Sequence, residues 1–345
     1  MKGGSRTLIR RRLALLAGLA VALGLCGFQQ RAPLERRPAL DPLPSSWLTA
    51  ETLPVWPEGP PDGGFAPQPV PADFPEVFFR NVETPTLHVF RPERPNGRAV
   101  LLVPGGAYTF IVGTHEGAET ASALAERGYV VFVLIHRLPA EGWSPRQDVP
   151  LQDAQRAMRT IRSNAERYGI DPDRVAALGY SAGGHLVATL ATDFDQAVSA
   201  PRDAVDRLSA RPAAVGLIYP VIEVSPPLEN AQSTLSLLGP APDPALVLRR
   251  SPARHVTAST SPTFLVHALD DTAVTPENSL GFFAALREAD VPVELHLYEE
   301  GGHGFGLGPS NASAGSWLNA FDAWLARTLD AAPIAGAHPG PGLNP

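Results

Sequence analysis

The sequence predicts an α/β fold, with a mostly parallel sheet covered by helices on both faces and a small lid or insertion. Apolar runs of strand length alternate with segments of helical periodicity, which is the pattern of parallel strands joined by helices. With 345 residues and 44% hydrophobic residues, the chain can bury the core that this fold needs. The alternation extends over residues 76–330, which we predict to be one domain.

The individual elements follow from the same pattern, and the lid or insertion is expected where the pattern breaks, over residues 223–262. The predicted strands are residues 99–103, 130–135, 175–178, 214–219, 263–267 and 291–298. The predicted helices are residues 118–127, 151–168, 182–192, 279–289 and 316–328.

The two ends of the chain are expected to lie outside this domain. A basic start and an uncharged apolar run over residues 13–25 are typical of a secretory signal, so residues 1–27 are predicted to direct export, to the periplasm or out of the cell. Cys26 leaves a lipid anchor open, although Leu25 stands where a lipobox carries a small residue. Proline-rich residues 28–75 are interpreted as a linker or a wrapping arm, and residues 331–345 as a loose tail.

Two scarce residue types narrow the chemistry. Lys2 is the only lysine and Cys26 the only cysteine, and both lie within the predicted signal. The predicted domain therefore cannot use a lysine Schiff base, a phosphate-binding lysine, a cysteine nucleophile or cysteine-bound zinc. The formal net charge of −7 argues against nucleic acid as a partner.

The segment Gly179-Tyr180-Ser181-Ala182-Gly183 is the only G-x-S-x-G motif in the chain. It directly follows a predicted strand and directly precedes a predicted helix, which is the context of the nucleophile elbow in α/β-hydrolases. Ser181 is therefore the candidate nucleophile, and the alternative is a serine in an ordinary glycine-rich turn.

A nucleophilic serine needs a base and a carboxylate that orients the base, and in α/β-hydrolases these follow the serine in the order acid, then histidine. Asp270 and Asp271 both follow the strand predicted over residues 263–267. We favour Asp271, because it fits the D-x-x-V spacing of this fold; Asp270 is then a turn residue. Glu223 is a more remote candidate.

His303 is the candidate base, because it stands in a glycine-rich loop after the last predicted strand. His185 lies one helical turn beyond Ser181, where it either supports the site or simply packs. His115 either shapes the pocket entrance or begins a helix. The other histidines in or beside strands, among them His267, are expected to pack or to face the surface.

Attack on an ester produces an oxyanion, which fixed N–H groups must stabilise. Ala182 follows the nucleophile and supplies one candidate donor. The loop after the strand predicted over residues 99–103 supplies the others, Gly106 and Ala107, because glycine lets the backbone approach a substrate closely.

These motifs resemble those of the small α/β-hydrolases grouped with acetylxylan esterases and with the bacterial feruloyl-esterase-like (BD-FAE-like) domain. The resemblance implies a serine carboxylesterase that removes small acyl groups, above all acetyl, from plant carbohydrate such as xylan. Pro104 and Ala107 depart from the histidine and the third glycine of related lipase-like enzymes, but Ala107 keeps its N–H group. The segments that carry the resemblance are residues 102–108, 115–117, 153–157, 179–185 and 301–305.

Other functions are weaker alternatives. They are an exopeptidase resembling the catalytic domain of prolyl oligopeptidases, a general small-molecule carboxylesterase, and a binding protein without activity. Some members of the resembling group are called xylanases, but no pair of carboxylates suited to glycosidic cleavage is evident. Triad chemistry requires no metal and no organic cofactor. The expected partner is a small ester or an acetylated carbohydrate, with membrane contact only if Cys26 carries a lipid.

Overall fold

The computed structural model describes residues 42–61, 63–308 and 313–331. The predicted signal peptide and the predicted tail beyond Ala331 lie outside these described residues. No helix in the described part of the chain is long and apolar enough to cross a membrane.

The main sheet has eight strands in the order β1-β3-β6-β4-β7-β8-β9-β10, and β2 pairs separately with β5. Strands β1, β3 and β6 are paired antiparallel, whereas every pair from β6 to β10 is parallel. The strands are β1 (Glu51–Pro54), β2 (Phe78–Phe79), β3 (Thr86–Phe90), β4 (Ala99–Val103), β5 (Ile111–Val112), β6 (Val130–Ile135), β7 (Val175–Tyr180), β8 (Val215–Ile218), β9 (Thr263–Ala268) and β10 (Val293–Tyr298).

Helices cover both faces of this sheet because the central strands are buried on both sides. Within β4, Leu101 packs in the cluster on the face of α3, α5 and α8, whereas Val100 and Leu102 pack on the face of α2 and α9. The helices are α1 (Ser45–Leu48), α2 (Thr120–Ala125), α3 (Val149–Ser163), α4 (Ala165–Tyr168), α5 (Ser181–Thr192), α6 (Ala231–Leu238), α7 (Pro244–Arg249), α8 (Glu277–Glu288) and α9 (Trp317–Asp330).

The predicted fold class is confirmed, and the fully buried strands β4 and β6 have the predicted bounds. Two predicted helices differ from the structure. The first begins as a π-helix over Thr114–Glu119 before α2. The second is divided into α3 and α4 at Asn164, whose φ of −103° and ψ of 14° leave the helical region.

The described part of the proline-rich arm contributes a strand to the sheet. Strand β1 pairs with β3, with Glu51 opposite Val89 and Pro54 opposite Thr86. The residues that follow β1 contact a buried ion pair of the domain, formed by Arg137 and Asp153 at 2.8 Å. These residues therefore pack with the domain although they precede the boundary predicted at residue 76.

The contacts of this ion pair explain the attachment of the arm. The Trp56 indole N–H donates to Asp153 at 2.7 Å, and Arg137 donates to the carbonyl of Pro61 at 2.8 Å. Buried charges persist when they are paired and their remaining hydrogen-bond positions are filled, and arm residues fill two of these positions here.

The stretch predicted as a lid or insertion, residues 223–262, contains α6, α7 and a 3-10 turn over Pro252–His255. Helix α6 contacts the loop after β4, because Ser236 Oγ lies 2.9 Å from Thr109 Oγ1. Arg146 also donates to the carbonyl of Ser236, at 2.5 Å. We call this stretch the cap.

Candidate active site

The strand order brings the predicted site segments to one edge of the sheet. Strands β4, β7, β8, β9 and β10 are consecutive neighbours and run parallel, so the loops after their carboxyl ends lie side by side. These loops carry the predicted oxyanion donors, the serine, the aspartate and the histidine. Parallel α/β sheets place their ligand sites at this edge.

Ser181 stands at a sharp turn between β7 and α5. Its φ of +50° lies in the left-handed region, which side chains adopt only under constraint. A Cβ on Gly179 would lie 2.4 Å from the Gly183 carbonyl oxygen, and one on Gly183 would lie 2.3 Å from that of Val103, so the turn requires both glycines. Ala182 is buried in the first turn of α5, at the end of the helix where N–H groups favour negative charge.

The structure brings Ser181, His303 and Asp271 into one chain of hydrogen bonds. Ser181 Oγ lies 2.9 Å from His303 Nε2, and His303 Nδ1 lies 2.7 Å from Asp271 Oδ2. A carboxylate only accepts, so Nδ1 carries the hydrogen and Nε2 is free to accept the serine proton. This is the geometry that general-base activation of a serine requires.

Asp271 is buried beneath His303 and surrounded by donors. Its Oδ1 accepts the N–H groups of Ala273 and Val274, both at 2.9 Å. His267 Nε2 lies 3.3 Å from Oδ2. Burial alone would raise the pKa of Asp271, but the hydrogen bonds from His267, His303 and Val274 outweigh it and hold the pKa well below its usual range.

The other two acidic candidates lie elsewhere. Asp270 is exposed, and its Oδ1 accepts the N–H of Gly302 at 2.7 Å, so it contacts the backbone beside His303 and leaves the imidazole to Asp271. Glu223 lies 4.0 Å from Arg254 in the cap. Of the three, Asp271 is the one that reaches the imidazole.

The predicted oxyanion loop lies directly against the serine. A Cβ on Gly105 would lie 2.9 Å from the Cβ of Ser181. Gly106 has a φ of +130°, and a Cβ there would lie 2.0 Å from the Phe110 carbonyl oxygen, so this position also requires glycine. Ala107 has a φ of +53°, so the chain turns sharply at the residue after Gly106.

His185 and His115 support two different loops. Tyr108 OH lies 2.8 Å from His185 Nδ1, and His185 Nε2 lies 2.7 Å from the Arg250 carbonyl. A carbonyl only accepts, so Nε2 donates and Nδ1 accepts from Tyr108. Burial lowers the pKa of His185 to about 4. His115 packs instead against Gly306 in the loop of His303.

Glu116 and Tyr219 also join the site, and no role was predicted for either, although Glu116 lies in the segment 115–117 that carries the family resemblance. Glu116 is buried, accepts the Gly105 N–H at 2.6 Å and accepts the Tyr219 hydroxyl at 2.9 Å. The Tyr219 ring centroid lies 5.0 Å from that of His303. Two sequence features could have identified them. Glu116 is a carboxylate followed by small residues, and Tyr219 is a tyrosine at the end of an apolar run.

Three aromatic residues near the predicted site segments are buried and so present no ring face to a sugar, with exposed fractions of 2% for Tyr108, 5% for Trp143 and 0% for Tyr180. Tyr180 OH contacts Thr120 Oγ1 at 2.8 Å, and Trp143 packs against Arg137. These side chains belong to the core. The described residues also contain no group of three or more histidine, cysteine, aspartate or glutamate side chains arranged to hold a metal ion.

Known proteins resemble this chain in sequence and in structure. The BD-FAE family model matches residues 87–286. An acetylxylan esterase of Xylanibacter ruminicola is 31% identical over 223 residues, which are 64% of this chain and 43% of that protein. Endo-1,4-beta-xylanase B of Butyrivibrio fibrisolvens is 35% identical over 205 residues, which are 59% of this chain and 32% of that protein. The chain thus spans less than half the length of these two relatives.

A solved structure extends the likeness to a protein of similar size. The acetyl ester-xyloside bifunctional hydrolase of Caldicellulosiruptor lactoaceticus is 33% identical and superposes with a TM-score of 0.67. The match covers 81% of this chain and 96% of that one. The family model, these likenesses and the strand order agree, and the chain belongs to the BD-FAE family of α/β-hydrolases.

Proposed function

We propose that this protein is a serine carboxylesterase that removes small acyl groups, acetyl above all, from esters on plant carbohydrate such as xylan. The observation that carries the proposal is the chain of hydrogen bonds from Ser181 through His303 to Asp271, at 2.9 and 2.7 Å. Gly105, at the start of the oxyanion loop, lies beside the same serine.

The reaction would proceed by two acyl transfers. His303 Nε2 takes the Ser181 proton as Oγ attacks the ester carbonyl, and Asp271 stabilises the imidazolium that forms. The N–H groups of Ala182, Gly106 and Ala107 stabilise the oxyanion. The imidazolium then returns its proton to the leaving alcohol, and water attacks the acyl-enzyme through the same base.

The substrate class is supported by the relatives. One relative is named an acetylxylan esterase, and the similar structure is named an acetyl ester-xyloside hydrolase. The xylanase relative shares less than a third of its length with this chain, so its name gives little support for glycosidic cleavage here. A serine triad performs acyl transfer, which accounts for ester cleavage but not for cleavage of a glycosidic bond.

The test is acetate release from acetylated xylan, measured beside p-nitrophenol release from p-nitrophenyl acetate. We expect both activities, and Ser181→Ala should reduce kcat on the order of a million-fold. Ser163→Ala is the matched control, because Ser163 is exposed at the end of α3.

Each outcome separates the alternatives. Hydrolysis of small esters alone would indicate a general carboxylesterase and remove the polysaccharide. Cleavage of an aminoacyl p-nitroanilide without ester cleavage would indicate the exopeptidase. Turnover that survives in Ser181→Ala would overturn the mechanism.

The proposal includes export, because residues 1–27 have the pattern of a secretory signal. Mass spectrometry of the mature protein tests it. A lipid-free chain that begins after Cys26 would support export without an anchor, and a lipid on Cys26 would support a membrane-attached enzyme. A mature chain that retains Met1 would contradict both.

A further inference from the structure

The buried carboxylate of Glu116 lies between two loops of the site. Only 3% of Glu116 is exposed, and the hydrogen bonds that it accepts within the described part of the chain come from neutral groups. A carboxylate is costly to bury unless both oxygens accept hydrogen bonds. Here Oε2 accepts the N–H of Gly105 at 2.6 Å and Oε1 accepts the hydroxyl of Tyr219 at 2.9 Å.

The first of these bonds fixes the orientation of the oxyanion loop. Because the Gly105 N–H donates to Glu116, it is not available to a substrate. The donors that remain in this loop are the next amides along the chain, those of Gly106 and Ala107. A Cβ on Gly105 would lie 2.9 Å from both Glu116 Oε2 and Ser181 Cβ, so this anchor lies directly behind the nucleophile.

The second bond continues to the loop of the base. The Tyr219 hydroxyl donates to Glu116, and its oxygen accepts the N–H of Gly306 at 3.1 Å. Its ring contacts His303 and Phe305, with centroid distances of 5.0 and 4.6 Å. Tyr219 has a φ of +38°, so the backbone adopts a rarely populated conformation to place this side chain.

We infer that Glu116 is a positioning residue that, through Tyr219, holds the oxyanion loop and the His303 loop in one fixed arrangement. The inference rests on the proposed esterase function. A carboxylate suits this place because its two oxygens accept hydrogen bonds from both sides at once. The NH2 group of an amide would instead face the Gly105 N–H or the Tyr219 hydroxyl, both of which are donors. Catalysis depends on this arrangement, since the base and the oxyanion donors must act on the same carbonyl group.

The test is Glu116→Gln, assayed with p-nitrophenyl acetate and normalised to the serines that a fluorophosphonate titrates. We expect kcat to fall about 10-fold to 100-fold, because misplacement of about 1 Å has an effect of this size. KM should change less than about 3-fold, because the loops orient the reacting atoms rather than the rest of the substrate. Tyr219→Phe should give a similar loss of kcat, and the double variant should lose little more, since both residues act through one chain of contacts.

Tyr129→Phe is the matched control. Tyr129 is also buried, and its hydroxyl also donates to a carboxylate, that of Asp322, at 2.8 Å. It lies at the amino-terminal end of β6, opposite the edge of the sheet that carries the site. We expect Tyr129→Phe to lower Tm by an amount similar to Glu116→Gln while kcat stays near that of the unchanged protein.

The inference is overturned if Glu116→Gln lowers Tm but leaves kcat per titrated serine unchanged, or if the losses from Glu116→Gln and Tyr219→Phe simply multiply. If Glu116→Gln does not fold, Tyr219→Phe alone is the test: a lower kcat with little change in KM supports the inference, and an unchanged kcat overturns it. Failure of the proposed function is distinct from these results, because it would appear as absent Ser181-dependent turnover in the unchanged protein.

Discussion

The two glycine-containing loops at the site differ in the space around them. In the oxyanion loop, residues 104–110, a Cβ on Gly105 or Gly106 would collide with neighbouring atoms at 2.9 Å or less. In the histidine loop, residues 299–308, a Cβ on Gly302 or Gly304 would meet no described atom within 4 Å. The first loop is closely packed at both of its glycines. The second loop is closely packed at Gly301, Gly306 and Gly308 but open around Gly302 and Gly304, on either side of His303.

This difference corresponds to the task that each loop is proposed to perform. Oxyanion donors are effective when they are fixed before charge develops, so that no reorganisation is needed. The imidazole of His303 must exchange protons with the serine, the alcohol and water in turn. A histidine loop held mainly through Asp271 and Tyr219 is sufficient for that role.

Among the changes that compare the two loops, the largest effect is expected at the anchor of the histidine loop. Asp271→Asn should lower kcat about 10,000-fold, because the amide no longer stabilises the required tautomer of His303. Asp270→Asn is the matched control, since an asparagine oxygen can still accept the Gly302 N–H. It should change kcat only a few-fold. Similar losses in both variants, measured with p-nitrophenyl acetate, would show that the loop needs both contacts equally.

The second effect compares the loops directly. Gly106→Ala should lower kcat about 100-fold to 1,000-fold, because the new Cβ displaces the oxyanion donors. Gly302 has a φ of +61°, but a Cβ added there would meet no neighbouring atom. Gly302→Ala should therefore lower the free energy of unfolding by about 1 kcal/mol and change kcat little. Equal kcat values for the two variants would contradict the proposed difference between the loops.

The smallest effect on activity is expected from the opposite side of the oxyanion loop. His185→Gln should lower kcat only a few-fold, because Glu116 still holds Gly105. Its main effect should be on stability. Burial holds the pKa of His185 at about 4, below its ordinary value of about 6.5, so the folded state excludes a proton that the unfolded state binds.

Stability from His185 is therefore complete above about pH 6.5 and is lost as the pH falls toward 4. Urea unfolding at pH 7 and pH 5 measures this loss. His185→Gln should reduce the pH dependence. Burial also lowers the pKa of His88, to about 4, and that of His136, so these two should maintain the remainder. An unchanged difference between the two pH values would place the dependence on other groups.

The buried centre of the molecule was predictable because burial on both faces leaves a continuous apolar run. Strands β4 and β6 have this character, and their bounds follow from the sequence. Strand β1 could not be identified in this way. Its residues alternate between half-buried and exposed positions, and it includes Pro54, so its sequence indicates an extended arm rather than a strand of the sheet.

The site residues also divide into those that a local sequence pattern identifies and those that it does not. Ser181 and His303 were predictable because a local pattern of glycines surrounds each of them, and the structure places them in contact. Glu116 and Tyr219 lie far apart in the chain and meet only when the strands are in order. The choice between Asp270 and Asp271 likewise depends on the geometry of a turn, which the neighbouring residues in the sequence do not specify.

Strand β1 also affects how the protein behaves in a crowded solution. An open strand edge is a template on which another chain can add, and it is a common start of aggregation. Strand β1 covers the edge that β3 would otherwise present, and its own outer edge is short. The Glu51 side chain is engaged by Arg91, Arg167 and Tyr168. The arm thus replaces the edge of β3 with a shorter one on this side of the sheet, and we expect this side to be a poor partner for the strands of other chains.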